Sequence, residues 1–285
     1  MNINTRIAEF FNFSTKNENV NWNEILTTQH CSYLNKKCIK VRKSQPNISI
    51  GTCTVEYGKE KNGVIICPHR LIEKRQIFID CIHLLTLHEP GNELHVISEV
   101  GIPGGSVDYF LASVQDKKVI DFVGIELQTL DTTGTVWPER QRFLTDLNIL
   151  KEPKEGYGDK AYGMNWKMTA KTILVQLHHK IVTFEHLSKH LVLVLQDHLL
   201  NYIKKEFSFS HINTVPKVGD PMHFHSYKLE LGNDQNYHIK LNERLSTDSS
   251  GLAIAMGLKA EAKIELEMFI KTLGAKISDN TRLTI

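Results

Sequence analysis

The sequence predicts an α/β (α+β) fold in which a mixed central sheet is flanked by helices and is preceded by a small cysteine-rich subdomain. A helix, three strands, a helix, a strand and a helix follow one another between residues 70 and 207. Four of the five cysteines lie between residues 31 and 67, where uninterrupted apolar sequence is scarce. A chain of 285 residues is long enough to bury a sizeable core behind this region.

The N-terminal segments predict two helices. Apolar residues at the start of the chain predict a short helix over Ile7–Phe11. A second helix is predicted from Arg70 to His88, because a broad apolar stripe recurs along it before Pro90 and Gly91. Cys81 lies in the apolar part of this second helix and is expected to be a buried thiol.

The middle of the chain predicts the strands of the sheet. Three strands are expected over Leu94–Val100, Val107–Val114 and Val119–Leu130, with a turn at Gln115–Lys118 that makes the last two a hairpin. The remaining predicted elements are a helix from Trp137 towards Leu150, an exposed loop from Lys151 to Gly163, a helix over Asn165–Lys180, a buried strand over His190–Gln196, a helix over Leu199–Phe207, strands over Ser226–Leu231 and Tyr237–Leu241, and a helix over Gly251–Gly274.

The composition is ordinary for a soluble globular protein. The formal net charge is only +2, so any basic surface for a nucleic acid must be local. Neither a secretion signal nor an apolar run long enough to cross a bilayer is evident, and we expect a soluble cytoplasmic protein with no membrane partner. In a reducing cytosol the cysteines are expected to be metal ligands or buried thiols rather than disulfides.

Acidic residues interrupt the apolar runs of the predicted hairpin. Asp108 lies in the first strand and Glu126 near the end of the second, so pairing of the strands can place the two side by side. Glu126 and Gln128 are two residues apart and therefore share a face. Carboxylates on apolar strands are costly unless a partner neutralises them, and Mg²⁺ is a common partner. Glu99, just before a Pro-Gly-Gly bend, is a further candidate ligand. The alternative is that these acids are exposed positions of half-buried strands.

The four N-terminal cysteines predict a structural metal site. Cys31, Cys38, Cys53 and Cys67 could supply four thiolates to Zn²⁺ or to a single Fe, which would leave no position open to substrate. Their spacing differs from that of common zinc ribbons, and the alternative is a set of unrelated buried thiols.

Several phrases resemble one nuclease family. An Asp followed by Glu-x-Gln after a Pro-Gly-Gly bend resembles the PD-(D/E)XK nuclease signature, in the variant where Gln replaces the usual Lys. The phrase GIELQTLDTTGT is similar to the active-site strand of NotI-like type II restriction endonucleases. The opening IAEFF, the Cys67-Pro68 pair followed by a basic residue and the helix from Asn165 also resemble that family, so that the resemblance covers roughly residues 1–200.

The resemblance implies a fold, an activity and a set of partners. It implies a PD-(D/E)XK core at residues 71–285, with a C-terminal extension, behind a four-cysteine metal-binding region at residues 1–70. It also implies Mg²⁺-dependent cleavage of double-stranded DNA at a palindromic, GC-rich site, by a homodimer with a cognate DNA methyltransferase in a prokaryotic cell. Asp108 and Glu126 would bind Mg²⁺, Glu99 would assist, and Gln128 would orient the attacking water. The four cysteines would hold one iron atom.

The turn and the helices after the hairpin supply candidates for DNA contact. These candidates are Asp131, Thr132, Arg140, Arg142, Lys167 and Lys171. The alternative for the basic ones is a solvated helix face. Three other functions remain open: a nuclease that recognises DNA structure in repair or mobile elements, a metal-stapled DNA-binding protein without catalysis, and a four-cysteine interaction module.

Overall fold

The computed structural model of the protein describes residues 5–151, 162–258, 266–278 and 281–282. The described chain is a mixed α+β structure with a central mixed sheet flanked by helices, as the sequence predicts. Among these residues, no helix is long and apolar enough to span a bilayer.

The N-terminal region consists of short strands, one helix and tight turns. Its elements are β1 (Ile7–Phe10), β2 (Phe13–Ser14), α1 (Trp22–Thr28), β3 (His30–Cys31), β4 (Lys36–Lys37), β5 (Val41–Arg42), β6 (Gln45–Ser49), β7 (Thr52–Tyr57) and β8 (Asn62–Ile65). Strands β2, β1, β7 and β8 form a sheet in that order, whereas β3 pairs with β4 and β5 with β6.

The predicted first helix is wrong, because residues 7–10 form β1. All four residues of β1 are buried, and the strand pairs antiparallel with β7. A short apolar run fits a buried strand as well as a helix, and pairing with β7 satisfies its buried backbone groups. Glu9 on this strand is fully buried and accepts hydrogen bonds from Arg70 Nε and Thr54 Oγ1.

The predicted helix over Arg70–His88 is broken into three pieces. These are a 3₁₀ segment over Pro68–Arg75, the helix α2 (Gln76–Ile79) and a 3₁₀ segment over Ile82–Leu84. The first break follows from an extended Glu73 and a left-handed Lys74. The Glu73 carboxylate accepts hydrogen bonds from Arg70 and from the backbone N–H of Ile239, and these contacts override the helical pattern. The segment packs on the sheet, and Cys81 is fully buried as predicted.

The remaining elements form the main sheet and its helices. They are β9 (Glu93–Ile102), β10 (Gly105–Gln115), β11 (Lys118–Gln128), β12 (Thr132–Thr133), α3 (Trp137–Asp146), β13 (Gly163–Met164), α4 (Trp166–His186), β14 (His190–Gln196), α5 (Asp197–Glu206), β15 (Met222–Leu231), β16 (Tyr237–Thr247), α6 (Ser249–Ala255) and α7 (Leu266–Gly274). The loop predicted from Lys151 to Gly163 lies mostly outside the described residues. So does the middle of the helix predicted over Gly251–Gly274, whose two described ends are α6 and α7.

The main sheet combines an antiparallel meander with parallel strands. In the described chain its order is β16-β15-β14-β11-β10-β9, with β11, β14 and β15 parallel to one another and the other pairs antiparallel. Every residue of β14 is buried, because the strand has packed layers on both faces. Leu191, Leu193 and Leu195 enter one core, and Val192 and Val194 enter the other.

The cysteine-rich region packs directly onto this sheet. Val64 of β8 belongs to the same buried cluster as Leu174 of α4, and Ile65 belongs to the cluster on the other face. Gln196 at the end of β14 accepts from the backbone N–H of Ile65 at 2.9 Å and donates to the carbonyl of Gly63 at 2.7 Å. The first 70 residues thus share cores with the remainder of the chain.

Candidate active site and cysteine cluster

Two acids lie side by side where β10 and β11 pair. Tyr109 of β10 pairs with Ile125 of β11, and the preceding Asp108 therefore lies next to Glu126, as the hairpin pattern predicts. The Oδ2 atom of Asp108 accepts a hydrogen bond from the backbone N–H of Leu127 at 2.8 Å. This bond fixes the carboxylate of Asp108 against the neighbouring strand.

Glu126 forms a buried ion pair with a lysine from α4. Glu126 and Gln128 share the face of β11 that α4 covers, whereas Leu127 enters the opposite core. The Nζ atom of Lys180 lies 2.6 Å from Glu126 Oε1, and Glu126 and Lys180 are 5% and 7% exposed. A buried carboxylate of this kind is stable only with such a partner.

Glycines bring α4 close enough for this ion pair. Gly104 has a φ of +94°, and a Cβ at this position would lie 2.4 Å from the carbonyl oxygen of His179 in α4. The Oγ1 atom of Thr183 donates to the carbonyl of Pro103 at 3.1 Å. The Pro-Gly-Gly bend is therefore a point of close backbone approach to α4.

The environment of Glu126 makes it titrate near neutral pH. Burial raises the pKa of Glu126 to about 7, the charge of Asp108 adds to this rise, and the hydrogen bond from Lys180 opposes it. Perturbed carboxyl groups of this kind concentrate at functional sites, although structural ion pairs also produce them.

The other two predicted catalytic residues lie at the edge of this pair. Glu99 is exposed on β9, on the other side of Asp108, with a left-handed φ of +55°. Gln128 is half-buried, and its Nε2 atom donates to the carbonyl of Thr129 at 2.6 Å. In the described chain, no group of three or more His, Cys, Asp and Glu side chains is placed to hold one metal ion. The structure thus brings two carboxylates together without a third ligand.

The chemistry of this pair fits Mg²⁺. This ion takes one or two carboxylates and completes its shell with water and substrate phosphate oxygens, and Asp108 and Glu126 supply two carboxylates on adjacent strands. Lys180 lies beside them as a fixed positive charge. Together these groups could bind a phosphate and stabilise negative charge on it.

The four predicted metal ligands line one small cavity. Cys31, Cys38, Cys53 and Cys67 surround about 20 Å³, together with His69 and other side chains. All are free thiols, and Cys53 and Cys67 are hydrogen-bonded to each other. Since the described side chains include no set of three placed as ligands of one ion, the structure gathers the cysteines without showing a coordination geometry.

Backbone N–H groups surround the sulfur atoms of this cavity. They belong to Tyr33 and Leu34 at Cys31, to Lys40 and Gly51 at Cys38, and to His69 and Arg70 at Cys67. Burial raises the pKa of Cys31 and Cys38, and these N–H groups oppose the rise. The hydrogen bond from Cys53, aided by Lys40 and the N–H groups, lowers the pKa of Cys67 to about 6. A thiolate is the form that binds metal, so this donor set suits Zn²⁺ or Fe.

The predicted DNA-contact residues have different environments. Lys167 and Lys171 are exposed on α4, and Asp131 and Thr132 lie in or next to the short strand β12. Arg142 is partly exposed and pairs with Glu139 at 2.8 Å. Arg140 is 3% exposed and donates through Nε to the carbonyl of Ile50 at 3.1 Å. The burial of Arg140 argues against a direct contact with DNA bases.

Sequence reasoning missed Lys180. The helix was predicted to end at Lys180, where a terminal lysine is an ordinary helix-end signal. The helix instead continues to His186, and Lys180 occupies the buried face together with Leu177 and Phe184. A lysine within the apolar stripe of a longer helix was the available signal.

Comparisons with known proteins leave the family open. No family model matches the chain, and no curated protein matches it. One similar solved structure is that of SfsA from Pyrococcus furiosus in complex with Ca²⁺, with 11% sequence identity and a TM-score of 0.30, over 69% of this chain and 71% of that chain. A likeness this weak carries no argument about function, which must rest on the chain's own residues.

Proposed function

We propose that the protein is a Mg²⁺-dependent deoxyribonuclease that hydrolyses phosphodiester bonds of double-stranded DNA. The observation that carries this proposal is the pair of Asp108 and Glu126 on adjacent strands, with the buried Lys180 at 2.6 Å from Glu126. The two carboxylates would hold Mg²⁺, which when bound polarises a phosphoryl oxygen and lowers the pKa of bound water.

Each nearby residue has a distinct role in this proposal. The hydrogen bond from Leu127 orients Asp108. The ammonium of Lys180 supplies the positive charge that Gln128 cannot carry, and stabilises the charge that develops on the phosphate. Gln128 uses its amide N–H on Thr129, which leaves its oxygen as an acceptor for the attacking water. Glu99 lies one strand away from the pair and would assist in binding that water.

The finer form of the proposal is a type II restriction endonuclease. The similarity of GIELQT and of the cysteine pattern to NotI-like enzymes supports this form. It includes a homodimer, a palindromic and GC-rich recognition site, a cognate DNA methyltransferase, and a structural Fe or Zn held by the four cysteines. Two-fold symmetry of the recognition site would mirror that of the dimer.

Digestion of unmethylated genomic DNA tests both forms. The purified protein is incubated with the DNA and Mg²⁺, and the fragment ends are sequenced, alongside Asp108→Asn and Glu126→Gln. Asp121→Asn is the matched control, because Asp121 is also buried on β11 and paired with a lysine at 2.6 Å, but faces the opposite core.

The proposal expects discrete ends with one palindromic motif, which disappear in both site variants and persist in the control. Ends without a common sequence that depend on Glu126 would support a nuclease and contradict the restriction enzyme. Binding of DNA without cleavage by the wild-type protein, with Mg²⁺ present, would contradict catalysis and favour a DNA-binding protein.

A further inference from the structure

The cysteine-rich region carries a concentration of positive charge. Neither Asp nor Glu occurs between residues 25 and 55, and five cations lie within residues 36–43. We call residues 36–43 the basic segment, and its cations are Lys36, Lys37, Lys40, Arg42 and Lys43. Because the net charge of the whole chain is only +2, this segment is a local feature rather than a reflection of overall composition.

No carboxylate in the described part of the chain pairs with these cations. Among the described residues, none of the five lies within 4.0 Å of a carboxylate oxygen, whereas Arg70, Lys180 and Lys189 all form ion pairs. Lys37 and Lys40 donate to the neutral carbonyls of Asn47 and Ile66. All except the half-buried Lys40 are exposed. A patch of one sign of charge attracts a polyanion.

The basic segment lies between the cysteine cavity and the segment that follows β11. The guanidinium of Arg42 lies 5.1 Å from the ring centroid of Trp137, which begins α3 after the turn at residues 131–135. Lys40 lines the cysteine cavity together with His69. The Ile66 carbonyl that accepts from Lys40 belongs to a residue of the same buried cluster as Val107, which immediately precedes Asp108.

We propose that the basic segment is a phosphate-binding surface that holds the backbone of a nucleic acid duplex beside Asp108 and Glu126. This inference rests on the proposed function and gives the cysteine-rich region a role in substrate binding. Lysine and arginine contacts to phosphates fix the position of a duplex without reading its sequence. A metal in the cysteine cavity would then stabilise the fold of a DNA-contacting surface.

An anionic lipid surface is the main competing partner, since Ile39 and Val41 are exposed beside the cations. A nucleic acid is favoured because Arg42 contacts Trp137, in the segment that follows the strand carrying Glu126, and because Lys40 binds the carbonyl of Ile66, which shares a buried cluster with Val107 beside Asp108. A duplex held through its phosphates on this surface would have a phosphodiester bond near Asp108 and Glu126.

The salt dependence of duplex binding tests the surface. The logarithm of the binding constant falls linearly with the logarithm of salt concentration, with a slope of about 0.9 for each phosphate contact. The variant Lys36→Gln/Lys43→Gln is chosen because neither side chain makes a described hydrogen bond or ion pair, so its loss should not affect folding. Binding of a fluorescent 30-base-pair duplex is measured without divalent metal at several salt concentrations.

The matched control is Lys117→Gln/Lys118→Gln, at the turn between β10 and β11. Lys118 lies eight residues from Glu126 along β11, roughly 26 Å at about 3.3 Å per residue. The proposal expects weaker binding and a salt slope reduced by about 1.8 in the Lys36→Gln/Lys43→Gln variant, and no change in the control.

Three results would overturn the proposal. The first is an unchanged affinity and slope in the Lys36→Gln/Lys43→Gln variant, the second is an equal loss in the control, and the third is binding to phosphatidylserine vesicles but not to the duplex. If the wild type cleaves genomic DNA but the Lys36→Gln/Lys43→Gln variant binds the duplex with unchanged affinity and slope, the proposed function stands and the phosphate-binding surface is rejected. If the salt slope of the variant is reduced but the wild type does not cleave DNA, the surface stands and catalysis is rejected.

Discussion

At the scale of single residues, the candidate site depends on which strands and helices meet. The sequence was sufficient to place Asp108 beside Glu126, because strand alternation and a hairpin turn determine that relation. It was not sufficient to find the partner of Glu126, because Lys180 comes from a helix 54 residues later. The burial of Arg140 was unpredictable for the same reason, since the carbonyl of Ile50 to which it donates lies 90 residues earlier.

Replacement of Lys180 should shift the pH dependence of cleavage. The hydrogen bond from Lys180 lowers the pKa of Glu126, which burial raises to about 7. In Lys180→Gln this opposing contact is lost, and the pKa of Glu126 rises further. Because a metal ligand must be ionised, the rate at pH 7 should fall about tenfold for each unit of this rise and recover at higher pH. Cleavage rates between pH 6 and 9.5 provide the measurement.

Lys189→Gln is the control for this shift. Lys189 pairs with Asp121 at 2.6 Å on the opposite face of β11. The cleavage rate of Lys189→Gln should therefore depend on acidic pH as that of the wild type does. A loss of rate in Lys180→Gln that is equal at every pH would contradict an action through Glu126. It would leave only a direct contact between Lys180 and the substrate.

At the scale of elements, the sequence was most informative where segments are long and regular. The strand predicted over His190–Gln196 matches β14 at both ends, and the hairpin of β10 and β11 is confirmed with its turn. The N-terminal strands could not be predicted, because β1 is short and its pairing with β7 is a tertiary contact. The Arg70–His88 segment failed because Glu73 is bound by groups from a strand more than 160 residues away.

The contact between β11 and α4 can be tested through Gly124. A Cβ at Gly124 would lie 2.3 Å from Cζ of Phe184, one turn beyond Lys180 on α4. We expect Gly124→Ala to lower stability by about 1–3 kcal/mol, as overpacking does, and to reduce cleavage because Lys180 moves with the helix. Thermal unfolding and cleavage rates measure the two effects.

Gly101 provides a matched strand glycine with open space around its Cβ position, so Gly101→Ala should have little effect. In Gly124→Ala/Phe184→Leu the leucine removes the ring that the alanine Cβ would meet, so this double variant should recover part of the lost stability. Equal destabilisation by the two alanine variants would show that strand glycine itself, rather than the Phe184 contact, determines the cost.

The cysteine cluster should depend on a metal and on pH. We expect the purified protein to contain about one Zn or Fe per chain, and Cys67→Ser to lose the metal and unfold at a lower temperature. Because all four thiols must lose their protons to bind the metal, metal retention should decline as the pH falls from 7.5 to 5. Elemental analysis after dialysis at pH 7.5 and pH 5 provides the measurement.

Cys81→Ala is the control for the cluster, because Cys81 is buried elsewhere and does not line the cavity. It should retain the metal at both values of pH. A metal-free wild-type protein with an unchanged melting temperature in Cys67→Ser would contradict the site and favour a set of unrelated thiols.

At the scale of the whole molecule, the shared cores join the cysteine-rich region to the main sheet. Ile66, whose carbonyl accepts from Lys40 of the basic segment, belongs to the same buried cluster as Val107 of β10. The sequence alone suggested two separate parts, since the apolar residues of the first 70 positions are few and scattered. Their role becomes clear only from the structure, where Val64 of β8 shares a buried cluster with Leu174 and Ile65 is bonded to Gln196.

A buried histidine cluster should set the acid limit of this shared core. The rings of His190, His223 and His225 follow one another across β14 and β15, with centroid separations of 5.4 and 6.4 Å. His190 and His223 both contact the carbonyl of Asp220. Burial lowers the pKa of His223 from 6.5 to about 4, and it lowers that of His225 as well.

Stability should therefore be lost as the pH falls from about 6.5 to 4. In this window the unfolded chain binds protons that the folded His223 does not, so the free energy of unfolding decreases with falling pH. In His223→Gln the amide can still donate to the Asp220 carbonyl but does not titrate. Between pH 7 and 4.5 the melting temperature of the wild type should fall by a few degrees more than that of His223→Gln. This magnitude follows because a change of about 1 kcal/mol in the free energy of unfolding shifts the melting temperature by roughly 2–4 °C at this size.

His186→Gln, at the exposed end of α4, is the control and should follow the wild type. If protonation of His223 destabilises the folded sheet, removal of this imidazole must make the melting temperature depend less steeply on pH. Equal slopes of melting temperature against pH in His223→Gln and the wild type would therefore assign the acid limit to other groups.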